Sequence, residues 1–182
     1  MKKSILIIPL LLVLSFVQTK AQRQAEMPKN SIEFNLIWPL VPKIYQLKYA
    51  RQFELGKSGR KGEFVSSINY RLWAFAESEG DKTMFAIAIG YRHFWWKGLN
   101  SELAIYPEFV RIRNSVVDNN SYRDFYIVPE FYSGYKGFLG NKGLFYNVQL
   151  GTGIIIFPDE SYPRLEDTGV FFNGNLTIGY TF

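Results

Sequence analysis

Cysteine is absent and histidine occurs once, at His93, in a chain of 182 residues. Without thiols there is no disulfide framework, no cysteine-based zinc site and no thiol nucleophile, and a single imidazole excludes a multi-histidine metal centre. Long apolar runs are also lacking. The only one, Ile5 to Val17, lies at the N-terminus, and mean hydropathy is -0.08, which excludes a bundle of spanning helices. What is abundant is aromatic side chains, 18% of residues, within a hydrophobic fraction of 47% and beside 20% charged residues. That is too apolar for a disordered chain, and the length suits one ordinary domain.

The N-terminus has the plan of a secretory signal peptide. Lys2 and Lys3 precede the apolar run, and Thr19-Lys20-Ala21 offers small residues where a signal peptidase reads them. The sequence therefore predicts a signal peptide over 1–21, a short N-terminal segment over 22–30 and one domain over 31–182. Gln22 stands where a lipoprotein needs cysteine. Removing 1–21 takes out Lys2, Lys3 and Lys20 and no acid, so the formal charge falls from +5 to +2. The basic residues are scattered, so the sequence pI of 9.3 is no sign of a nucleic-acid partner.

Beyond residue 30 the dominant pattern alternates with period 2. From Val170, the even positions are Val170, Phe172, Gly174, Leu176, Ile178, Tyr180 and Phe182, and the odd ones are polar or small apart from Phe171. Leu144–Phe157 repeats this, and six further segments fit: Ser31–Trp38, Ile44–Glu54, Phe64–Phe75, Met84–Trp96, Glu102–Arg113 and Asp124–Lys136. Connections alternate in kind. Pro39–Pro42, Glu77–Lys82, Asn114–Tyr122 and Pro158–Asp167 fall at one end, and the turns Gly56–Gly62, Lys97–Asn100 and Gly137–Gly143 at the other. Eight long antiparallel strands in meander order can close on themselves and leave no free edge. Strands of ten to fourteen residues exceed the usual five or six and suit a tilted membrane-crossing strand.

The polar face carries Glu33, Lys48, Arg71, Arg92, Glu102, Glu108, Glu130 and Lys136, together with Asn35, Gln46, Asn69, Gln149, Asn173 and Asn175. The opposite face is rich in Leu, Ile, Phe and Tyr. Aromatics gather near strand ends: Trp38, Tyr45, Trp73 and Phe125 on the loop side, and Phe64, Trp95, Tyr135, Tyr146, Tyr180 and Phe182 on the turn side. Such belts are what two membrane interfaces select. The expected fold class is all-β, an eight-stranded antiparallel up-and-down transmembrane β-barrel. A soluble lipocalin-like barrel would have the same period with the apolar face inside.

The signal peptide with its Ala21/Gln22 junction, the strand Ile87–Lys97 (IAIGYRHFWWK) and the ending Leu176-x-Ile178-x-Tyr180-x-Phe182 resemble the small eight-stranded outer-membrane barrels of Gram-negative bacteria, the OmpA/OmpX-like class. The resemblance implies residence in the outer membrane and contact with its lipid and lipopolysaccharide. It implies that Leu176, Ile178, Tyr180 and Phe182 form the signal that the barrel-assembly machinery reads. A peptidoglycan-binding domain, present in longer relatives, is not expected after Phe182.

Candidate chemistry is sparse. His93 shares parity with Ile87, Ile89 and Tyr91 and is expected outside, at the turn-side interface. Glu108 and Glu130 are expected roughly opposite each other, either as an acid/nucleophile pair or, preferably, as part of an interior salt-bridge network. That network is expected to place Glu33, Lys48, Arg71, Arg92, Glu108 and Glu130 in one balanced middle layer, with Arg71 or Arg92 between the two glutamates and with Glu102 opposite Lys136 below. Arg111 and Arg113 are expected at the outer rim, against lipopolysaccharide phosphates. Neither cofactor nor metal is expected. The leading functional expectation is a monomeric, non-enzymatic outer-membrane protein with a structural or surface-interaction role. A narrow pore comes next, then a soluble ligand-binding barrel or a membrane-embedded enzyme.

Overall fold

The computed structural model describes residues 29–40, 43–55, 60–71, 81–115, 117–140, 142–156 and 169–182. The expected signal peptide, residues 22–28 and Trp73 lie outside them.

Eight strands run in chain order around a closed barrel: β1 (Asn30–Asn35), β2 (Ile44–Leu55), β3 (Arg60–Arg71), β4 (Asp81–Trp96), β5 (Leu99–Arg113), β6 (Tyr122–Phe138), β7 (Leu144–Ile154) and β8 (Val170–Thr181). Every neighbour pair is antiparallel, and β1 closes the ring on β8 with Glu33 opposite Gly179. The reason is the alternation itself: a period of 2 puts one residue set on each side of a pleated sheet. The β4–β5 hairpin turns on Lys97 and Gly98, both at positive φ (39° and 95°), the backbone of a two-residue turn that matches strand twist. A Cβ on Gly98 would come within 2.2 Å of the Lys136 carbonyl oxygen, so position 98 admits only glycine.

β1 is the shortest strand and ends at Asn35, three residues before the expected Trp38. The cause is local. Asn35 Oδ1 accepts hydrogen bonds from the Ile37 and Trp38 amides at 3.0 and 3.1 Å, an Asx-type turn that diverts the backbone. Trp38 is then buried in the wall, donating its indole N–H to the Gly174 carbonyl at 2.9 Å, so it is no member of an outer aromatic belt. β7 ends at Ile154, short of Phe157, although Ile156 still bridges Ile127.

Residues that point away from the axis are mostly apolar, among them Phe34, Leu47, Ile68, Ile87, Ile105, Phe131, Leu150 and Ile178, all exposed. The largest buried side chains point inward and include Arg92, Lys48, Gln46, Glu33 and Glu102. The interior has two storeys. Toward the turns it is charged. Toward the loops it is an apolar cluster of Met84, Ala86, Tyr106, Val110, Tyr126 and Val128 with their neighbours. Aromatic rings fit this narrow space by lying across glycines of the adjoining strand. Tyr132 covers Gly151 and Phe145 covers Gly179, each its register partner.

Candidate functional site

The turn-side storey is built around Arg92 of β4. Its guanidinium grips Glu33 of β1 with two nitrogens at 2.6 and 3.0 Å, reaches Glu63 of β3 at 2.7 Å, and holds Glu102 of β5 through Nε at 2.8 Å and Nη2 at 2.7 Å. Lys48 of β2 contacts Glu102 at 2.9 Å. Lys136 of β6 contacts Glu63 at 2.7 Å and Glu33 at 3.7 Å. Three acids and three bases, drawn from six of the eight strands, thus form one neutral cluster inside the barrel. A planar fork suits a carboxylate-rich site, because each guanidinium edge can present two donors. The ammonium groups use ring faces as well: Lys136 lies 4.1 Å from the Phe145 centroid and Lys48 5.6 Å from that of Tyr132.

Side-chain amides extend the cluster along the wall. Asn35 donates to Gln46 and to Asn175, Asn175 to Gln149, and Gln149 to both Asn100 and Glu102, all at 2.8–3.2 Å. Asn100 in turn donates to Asn147 at 3.2 Å. The hydroxyl of Thr177 donates to Glu33 at 3.2 Å. Buried polar groups of this number are tolerable only when they satisfy one another, and here nearly all do. The exceptions among the described residues are Ser31 Oγ, Gln46 Nε2, Asn147 Nδ2 and Asn173 Oδ1.

The expected set and the observed set differ. Glu33, Lys48, Arg92, Glu102 and Lys136 meet. Glu63 completes the balance and was missed, because β3 was expected to start one residue later, at Phe64; its parity with Val65, Ser67 and Asn69 was the available signal. Glu108 and Glu130 are not opposite each other: Glu108 pairs with Tyr126 and Glu130 with Ala104. They are therefore not register partners, and Arg92 does not join them, since its contacts lie with Glu33, Glu63 and Glu102. Glu130 instead accepts hydrogen bonds from Tyr132 at 2.6 Å and Asn173 at 3.0 Å. Glu102 stands opposite Tyr132, not Lys136. Arg71 ends β3 at the loop side, opposite Ile44 and Met84, away from the cluster. A single middle layer is thus replaced by a turn-side cluster, with Glu108 and Glu130 apart from it.

On the outer wall, Arg111 and Arg113 are exposed at the loop end of β5, and Ile178, Tyr180 and Phe182 are exposed at the turn end of β8, with Leu176 partly covered. His93 lies in an outward aromatic row. Its Nδ1 is 2.9 Å from the Tyr91 hydroxyl, and its ring meets Trp95 edge-on at 4.4 Å between centroids. Among the described residues, no group of three or more His, Asp or Glu is placed to hold a metal ion.

Compared with known protein families, with curated proteins and with solved structures, the chain has no match.

Proposed function

We propose that this chain is an integral outer-membrane β-barrel of the OmpA/OmpX-like kind, exported by residues 1–21 and assembled through its C-terminal aromatic strand. Its role is non-enzymatic: it serves envelope structure, or surface interaction through the loops. The observation that carries this reading is the inversion of the barrel. A continuous apolar wall faces out, while charges and amides are packed inside. Contiguous exposed apolar patches on soluble monomers rarely exceed a few hundred Å², and a lipocalin-like barrel would hold these two faces the other way round. With the turns toward the periplasm, the longer connections face the medium, and the outer rim of β5 reaches the lipopolysaccharide layer.

The interior favours a closed barrel over a pore. Eight strands enclose a space that side chains can fill, and a channel needs a continuous wet path. Here a neutral, mutually bonded cluster crosses the lumen. The deciding experiment has two parts. Membranes from expressing cells are extracted with urea, and the retained protein is run on a gel with and without boiling. Retention with a heat-dependent mobility shift is expected, and recovery as a soluble periplasmic species overturns the reading. Planar-bilayer recordings of the refolded protein then separate the two roles: little conductance is expected, and stable wild-type conductance favours the pore.

A further inference from the structure

Near the turns, polar side chains from three adjacent strands stand in one register row on the outer wall: His93 of β4, Ser101 of β5 and Ser133 of β6. Followed to either side, the row continues as Gly62 and Phe53 on β3 and β2 and as Leu150 on β7, and holds no acid.

The neighbours of the row fix its polar atoms. The Tyr91 ring lies across Gly62, where a Cβ would come within 2.8 Å of its Cε2, and this brings the phenol to 2.9 Å from His93 Nδ1. Trp95 is the extra residue where the β4–β5 register shifts between Phe94 and Trp96. A bulge of this kind re-aims a side chain, and here the indole N–H turns to Ser101 and donates to its hydroxyl at 3.1 Å. The Ser101 and Ser133 hydroxyls lie 3.0 Å apart, and either can donate to the other.

Donors exceed the acceptors that these contacts use. The phenol donates to Nδ1, the indole to Ser101, and one serine to the other. With Nδ1 accepting, the imidazole proton sits on Nε2. That N–H and one serine hydroxyl keep their protons for a partner outside the row. On a wall that faces lipid, such donors are costly until an acceptor meets them. Away from the turn the row is bordered by Leu103 and Phe131, register partners that are both exposed. In the turn itself, Lys97 holds its ammonium 4.9 Å from the Trp96 ring centroid, a cation at the same end of the wall.

We propose that this row is a headgroup site for a glycerophospholipid of the periplasmic leaflet. The His93 Nε2–H and the free serine hydroxyl donate to its phosphodiester, and an acyl chain lies over Leu103 and Phe131. A phosphodiester presents charged acceptor oxygens, for which hydrogen bonds are stronger than for a neutral ester, and no acid in the row repels it. The inference rests on the membrane reading.

The test uses the full mature chain refolded in detergent and checked by its heat-dependent mobility. It is titrated with a short-chain phosphatidylglycerol, with the matching diacylglycerol, and with inorganic phosphate. NMR follows the imidazole nitrogens of His93, the only histidine of the chain, and the Leu103 methyls. Wild type is expected to carry its imidazole proton on Nε2 and to bind the phospholipid in preference to both other probes. S101A/S133A, and separately H93F read on the Leu103 methyls, are expected to weaken that binding by roughly tenfold or more, the scale of losing hydrogen bonds to a charged group. T83V, on the outward face at the loop end of β4, is expected to leave it near wild type. A bare Nε2, no preference over diacylglycerol, or equal weakening by T83V overturns the site. Equal response to inorganic phosphate overturns the lipid as its ligand. Failure of wild type to refold as a heat-modifiable barrel strikes instead at the membrane reading, which is how the two failures are told apart.

Discussion

The two storeys of the lumen solve one packing problem in opposite ways. Both are filled by side chains of the same inward parity. At the turn side the fill is Glu33, Lys48, Glu63, Arg92, Glu102 and Lys136, mutually paired. At the loop side it is mainly Met84, Val110, Ile112 and Val128, with Tyr106 and Tyr126 set against Ala86, Ala88 and Ala104, and with the inward acids Glu108 and Asp124 standing among them. The apolar storey works by size, large against small, as tapered barrels do. The charged storey works only as a set, since a buried charge without its partner is costly whereas a complete group is near break-even. The charged half should therefore be brittle to single changes and the apolar half tolerant.

The largest test of that contrast is Arg92→Ala. It leaves three buried carboxylates with two lysines, and the expected loss is about 3–5 kcal/mol, read as a shift of the urea midpoint in detergent. Adding Glu33→Gln should restore part of the loss, which a double-mutant cycle measures. The same Arg92→Ala variant should raise bilayer conductance. A loss no greater than that of an apolar truncation in the loop-side storey would erase the distinction between the halves.

At the boundary of the storeys, Gly151→Ala should cost about 1–3 kcal/mol. The added Cβ would lie 2.4 Å from Tyr132 Cδ1 and 2.6 Å from the Phe131 carbonyl oxygen. A backbone atom cannot step aside as a flexible side chain can. Thermal mobility-shift curves would show the loss, and an unchanged midpoint would mean that the ring does not rest on this glycine. Within the apolar storey, Ile112→Val removes one methylene from a fully buried residue and should cost only about 0.5–1.5 kcal/mol, with no change in conductance.

Strand count, order and facing were legible because period 2 is a property of sequence alone, and a closed meander follows from eight such segments. Relative height inside the lumen was not. The β5–β6 hairpin pairs Ile112 with Tyr122, so its midpoint is residue 117 rather than the expected 118, and each residue of error in that midpoint displaces a partner by two. That offset, added to the looseness of the count, is why Glu108 and Glu130 are expected roughly opposite each other and are not. Strand tilt adds a second offset that parity does not encode. Lys136 therefore reaches Glu63, from a strand not adjacent to its own, rather than Glu102 next door. Asn35 hid the early end of β1 because an Asx turn and a strand position use the same residue type.

The smallest expected effect lies beyond the lumen, in the loop from Asn114 to Ser121, and it separates surface order from interior order. Asn114 and Asn119 take positive φ there, which asparagine tolerates better than most residues. Asp118 organises the turn: Tyr122 donates its hydroxyl to the carboxylate, and Asn120 donates both its backbone amide, at 3.1 Å, and its side-chain amide, at 2.8 Å. The Tyr122 hydrogen bond is the main cause that holds the Asp118 carboxyl below its ordinary value, with the Asn120 bonds assisting. A carboxylate favoured in the folded state contributes order that is complete above its unfolded pKa of about 3.9 and is lost as pH falls through the lower folded value. In an NMR titration the Asn120 amide and Tyr122 ring signals should therefore stay fixed from neutral pH to about 4 and move only below it. Asp118→Asn should abolish that step while leaving the urea midpoint of the barrel unchanged, since the residue is solvent-exposed. A transition centred at or above the ordinary aspartate value would show that these hydrogen bonds do not favour the ionised form. A concerted shift of lumen signals in the same window would show that loop and interior are coupled rather than independent.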